Sequence, residues 1–120
     1  MVEKSAPRRE VQVDLSGLTQ RQIFLREQVI MLGEMAFGAR WQSVFAAELS
    51  QHAGRPVRQA QVSHWISGYR PVPEAMVEPL RDLALRVAAE MARRVDEIRA
   101  RWAPPPVPSQ DADALDPLYP

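Results

Sequence analysis

Three absences narrow the field for this chain. There is no cysteine among its 120 residues, so neither a disulfide framework nor a cysteine-ligated zinc site is available. No stretch approaches the 18 consecutive apolar residues that mark a membrane-spanning helix. The amino-terminal "MVEKSAPRREVQVD" lacks an apolar run and is expected not to act as a signal peptide. Net charge is absent too, with 15 Lys+Arg against 15 Asp+Glu. At face value that argues against a polyanionic partner. Glycine is scarce, five in all.

The distribution of charge alters the picture. Residues 1–72 hold nine basic against six acidic side chains, residues 73–103 balance at six each, and 104–120 carry three aspartates and no base. A mildly basic front thus precedes an acidic tail, which permits a polyanion partner without requiring one. Apolar residues make up 46% of the chain, enough for one modest core in a single small domain.

Hydrophobic periodicity is helical throughout. Residues 1–17 are expected to be a flexible basic arm, with Lys4, Arg8 and Arg9 as its cations. Thr19 and Gln22 have capping-box spacing, and Leu18 can staple onto Ile23. The first helix then carries Ile23, Phe24, Val29, Ile30, Leu32, Met35 and Phe37, so many apolar sides that it should be central to the core, and Gly38 stops it. A second helix, "RWQSVFAAELSQHAG", repeats apolar residues at Trp41, Val44, Phe45 and Leu49 and ends at Gly54. A third, at about 58–67, has only Ala60, Val62, Trp65 and Ile66 on its apolar side before Gly68. After the extended "YRPVP", a long last helix starts at Pro79, where proline is tolerated. It runs to Trp102 with Leu80, Leu83, Val87, Met91, Val95 and Ile98 on one stripe, about 36 Å of rod. With six prolines, 104–120 is expected to be disordered or polyproline-like. The expected fold is all-α: a helix–turn–helix domain over 18–78, a long helix over 79–103, and flexible ends.

The third helix is short, buries little and presents hydrogen-bonding groups outward, which is what a helix entering the major groove of DNA requires. Glutamine can read adenine and arginine guanine, while serine and histidine supply adaptable contacts. Gln42 and Ser43, at the start of the preceding helix, sit where phosphate is met by free N–H groups. Arg55, Tyr69 and Arg70 flank the reading helix and can fix its register on the backbone.

The segment "WQSVFAAEL…VRQAQVSHWISGYRPVP" resembles the helix-turn-helix of Cro/C1-type (phage-repressor-like) regulators. The likeness lies in the Ala46–Ala47 pair, in Val62 and Trp65 on the buried side, in the "WISG" ending and in "RPVP"; it covers Arg40–Pro73, roughly a quarter of the chain. One departure is the turn "SQHAGRPVRQ", about five residues longer than the usual tight connection. The resemblance implies that Arg58, Gln59, Ser63, His64 and Ser67 contact bases or phosphate, with Ala60 able to meet a thymine methyl and Gln61 turned away. It implies Ala47, Val62, Trp65 and Ile66 as the motif core. It also implies a cytoplasmic bacterial or phage-encoded repressor that occludes its promoter.

The stripe of the last helix outruns what the front helices can cover, so Val87, Met91, Val95, Ile98 and Trp102 are expected to form a homodimer interface. Two reading helices would then stand about 34 Å apart, one turn of B-DNA. His52 and His64 have no cluster of carboxylates beside them, so no metal, and no cofactor, is expected. No nucleophile elbow or phosphate loop suggests an enzyme. The alternative is a protein–protein module, an antitoxin or assembly adaptor on the same scaffold, gripping its partner through the last helix or the tail.

Overall fold

The structure, a computed structural model, describes residues 12–105. The arm cations Lys4, Arg8 and Arg9 and most of the proline-rich tail lie outside the described residues. The fold is all-α: α1 (Gln20–Phe37), α2 (Trp41–Ala53), α3 (Gln59–Ser67), a 3-10 turn (Glu74–Met76) and α4 (Val77–Trp102), with no strand among the described residues. The chain divides into two compact units, Met1–Ala88 and Ala89–Pro120, with the boundary inside α4.

In the first unit the helix ends follow from local chemistry. The Thr19 hydroxyl accepts the Gln22 N–H at 3.1 Å, and the Gln22 side chain accepts the Thr19 N–H at 2.9 Å, closing a reciprocal box at the start of α1. Gly54 takes the left-handed conformation (φ 69°, ψ 19°) and ends α2, and Gly68 (φ 86°, ψ 2°) ends α3. Pro79 sits in the first turn of α4, where its missing N–H costs nothing. The helix starts two residues before it, at Val77, because the 3-10 turn feeds directly into α4.

The core gathers Leu25 and Val29 of α1, Trp41, Phe45, Ala46 and Leu49 of α2, Val62 and Trp65 of α3, and Leu83 and Val87 of α4, closed by Val57, Val72 and Met76. Trp41 and Phe45 meet edge to face at 5.3 Å, and Phe45 meets Phe37 at 6.5 Å. Trp41 reaches α1 only because residue 33 is glycine: a β-carbon there would stand 2.0 Å from the indole. α1 departs from expectation. Only its Leu25–Val29–Gly33 line is buried; Phe24, Met31 and Met35 are exposed, because the other helices of the unit cover one side of an element that is apolar on several.

Two further expectations are corrected. Ala47 is exposed, and Ala46 is the small residue in the core, because it follows Phe45 on the face shared by Trp41 and Leu49. Val87 is buried in the first unit, 8% exposed, so it is a core residue of that unit and is not free for an interface.

The second unit, in its described part, is the remainder of α4 with Ala103–Pro105. Its apolar stripe is uncovered: Ile98 is 60% and Trp102 82% exposed. Between the stripes lie Arg93–Glu90, Arg94–Glu90 and Arg101–Glu97 pairs, all solvent-facing. The hydrogen bond from Arg93, followed by its charge and that of Arg94, holds the Glu90 carboxyl below the usual carboxylate range.

Candidate nucleic-acid interface

α3 has nine residues, too few to persist alone in water. It is held from both ends and from below. Val62 and Trp65 are buried and Ile66 half-buried, which fixes its inner side. All four of its C-terminal carbonyls find donors. The Arg70 N–H donates to His64 C=O at 3.2 Å and the Gly68 N–H to Trp65 C=O at 3.3 Å. The Arg26 guanidinium, from α1, donates to Ile66 C=O at 2.7 Å, and the Asp14 N–H donates to Ser67 C=O at 2.9 Å. A helix end without such partners would leave buried or half-buried acceptors unmet. The last contact fastens residues 12–17, the end of the expected flexible arm, against the end of α3. It also requires glycine at 68, where a β-carbon would stand 2.2 Å from the Asp14 carbonyl oxygen. Asp14 is itself fixed by the Ser16 hydroxyl and N–H, which hold its carboxyl below the ordinary range.

The turn between α2 and α3 is Gly54–Arg58, five residues, so the extra length seen in the sequence goes partly into α2 and partly into the turn. It is not slack. Val57 plugs into the core, its N–H donates to Ser50 Oγ at 2.7 Å, and Ser50 Oγ lies 2.7 Å from the Ala46 carbonyl it can donate to. One hydroxyl thus links both ends of the connection. In the sequence Ser50 draws notice only beside His52, which it does not face on a helix, although a serine one turn before a helix-ending glycine is a fair signal for such a link.

With α3 fixed, its outward arc is defined. Gln59, Ala60, Ser63, His64 and Ser67 fall within about 140° of the helix circumference at 100° per residue. Gln59, Ala60 and His64 are exposed, and Ser63 and Ser67 half-buried. Gln61 lies outside that arc and its side chain accepts the Arg58 N–H at 2.8 Å, capping the helix. Ser67 is on the arc, but its hydroxyl lies 3.2 Å from His64 C=O, to which it donates, and accepts the Tyr69 N–H at 3.3 Å. Its role in the turn leaves little to offer outward. Arg58 is exposed at the N-cap.

The flanking residues fall into two groups. Gln42 and Ser43, at the amino end of α2, share an open polar depression with Gln59 and with Arg40. Arg40, the N-cap of α2 with no side-chain cap bond, is a cation the sequence reading passed over. Its signal was available: an arginine directly ahead of a helix start, where N–H groups point outward. At the other end of α3, the His64 and Tyr69 rings meet at 4.9 Å, and the Arg70 guanidinium stands 5.4 Å from the centre of the Tyr69 ring. Arg55 is exposed in the turn. Among the described residues no group of three metal-ligating side chains comes together, and no helix is long and apolar enough to cross a membrane.

No family model matches the chain, and no curated protein or solved structure matches it. What this surface does must follow from its own residues and geometry.

Proposed function

We propose that the chain is a sequence-specific DNA-binding regulator, acting as a homodimeric repressor that occludes a promoter. The observation that carries the reading is the contrast within α3. Its C-terminal carbonyls are met by four donors and its inner side is fixed by buried Val62 and Trp65, while Gln59, Ala60 and His64 are exposed and Ser63 is half-buried on the outward arc. A helix fixed so firmly and burying so little suits a surface that must meet a rigid partner in one register. In the major groove, Gln59 and His64 read base edges, Ser63 supplies an adaptable contact, and Ala60 meets a thymine methyl. Arg40, Gln42 and Ser43 at the start of α2 hold one phosphate, aided by outward N–H groups. Arg55, Arg58 and the Tyr69–Arg70 pair hold the backbone on the other flank.

Gel shift with the duplex upstream of the chain's own gene, against a scrambled duplex of equal length, tests it. Selective binding at least about a thousandfold tighter is the expected outcome. Equal, weak binding to both would favour the alternative, a protein-binding adaptor or antitoxin. One observation lends that alternative weight: the uncovered apolar end of α4, which a protein partner could also grip.

A further inference from the structure

The apolar surface that α1 leaves open has a complement in the same chain. Phe24, Met31 and Met35, 51%, 49% and 64% exposed, form one wall of an open groove of about 410 Å³ whose other wall is the first turns of α4, Leu80 and Ala84. Along α1 the seam is Phe24, Gln28, Met31, Met35, in steps of four, three and four. The stripe in the last turns of α4 is Met91, half-buried, with Val95, Ile98 and Trp102, exposed, in the same steps. Both span about 17 Å. Two helical seams of equal length and period, both open to solvent, are the two halves of a helix–helix contact.

We infer that the last turns of α4 of one protomer lie antiparallel to α1 in this groove of a second copy, and that the exchange is mutual about a two-fold axis. Two independent features set the register. The first is size. Extended backward, the α4 row reads Val77, Arg81, Ala84, Ala88 before Met91, still in steps of four, three and four. Paired with itself antiparallel, it sets Ala84 against Val95 and Ala88 against Met91, small opposite large, as interdigitation demands. A parallel pairing would set alanine on alanine and tryptophan on tryptophan.

The second feature is charge. Glu27 and Glu34 border the α1 seam at the positions that Arg94 and Arg101 occupy beside the α4 stripe. Antiparallel packing brings these flanks face to face, glutamate to arginine, and flanking charges are what set partner and orientation in such contacts. The bonds Arg94 and Arg101 make within their own helix are exposed and weak, so exchanging them costs little. Leu85, 62% exposed, is covered by Ala92 of the second copy in the same register. A foreign helix would have no reason to share this spacing and charge pattern; a second copy has both by construction. The inference takes from the proposed function only that two copies associate, and DNA plays no part in it.

Sedimentation equilibrium of the full chain without DNA is expected to give twice the 13.6 kDa chain mass. Met31→Glu and Ile98→Glu, both at exposed positions, should each give the monomer mass with helix content unchanged. Glu34→Arg should weaken association, and mixing it with Arg94→Glu should restore it. Ala84→Cys and Val95→Cys should cross-link on oxidation when mixed, and neither should do so alone. A monomeric parent chain, a dimer that survives either glutamate substitution, or cross-linking of the Ala84→Cys variant by itself would overturn the assignment. Because mass is read without DNA, failure here is separable from failure of the DNA reading.

Discussion

α3 and the last turns of α4 both turn side chains to solvent, but of opposite kinds. α3 exposes Gln59 and His64, with Arg58 exposed at its N-cap, on a helix that buries Val62 and Trp65. The end of α4 exposes valine, isoleucine and tryptophan between charged residues. A hydrogen-bonding surface on a fixed helix calls for a partner with a polar pattern of its own. An apolar stripe calls for a partner that removes it from water, at about 25 cal/mol for each Å² covered. On the proposed reading the two helices meet different partners, DNA at α3 and a second copy at α4.

Substitutions can break that division one side at a time. The largest effect is expected from Trp65→Ala, which removes the anchor beneath α3 and should lower the unfolding free energy by about 3–5 kcal/mol. Denaturant titration would measure it, and DNA binding should fall with it. Ser50→Ala should cost about 1–3 kcal/mol by leaving the Val57 N–H without its acceptor. It also tests whether the turn needs that hydroxyl to present α3. Gln59→Ala should leave stability and mass alone while costing about 1–3 kcal/mol of discrimination at one base pair. Arg70→Ala should weaken all duplexes alike and reduce the slope of log affinity against log salt by about one. Trp102→Ser, at an exposed position, should change the stability of a protomer by no more than about 0.5 kcal/mol.

The smallest effect expected is that of acid. The Asp14 carboxyl is lowered by Ser16, and the Glu74 carboxyl by its bond to Arg21, which spans 2.9 Å. A carboxyl whose folded pKa lies below its unfolded value adds stability that is full above the unfolded value. That stability is lost as pH falls through the folded one. Glu74→Gln should therefore lower Tm slightly at neutral pH, with the difference from the parent vanishing in acid. Both groups are exposed, so the shift should be small.

The sequence made the helix ends legible because they are set locally: Thr19 with Gln22, Gly54, Gly68 and the prolines act on their neighbours. Val62 and Trp65 were legible as the inner side of α3 for the same reason, being spaced on one turn. What escaped depends on contacts distant in sequence. Periodicity showed that α1 is apolar on several sides, but not that the other helices would cover only one of them. It could not decide between Ala46 and Ala47, which a small rotation of α2 exchanges. Nor could it show that Asp14 closes the end of α3, an N–H to carbonyl contact across more than fifty residues. Ser67 looks as able to meet a base as Ser63 does, until its hydrogen bonds at the helix end are seen.

The most direct test of the account is selection from a random duplex library, with the enriched sequence then titrated against its own scramble. Enrichment of a two-fold-symmetric sequence with half-sites one helical turn apart is expected, bound at least about a thousandfold more tightly than the scramble and dependent on Gln59. A pool that stays random, with equal weak binding to both duplexes, would contradict it.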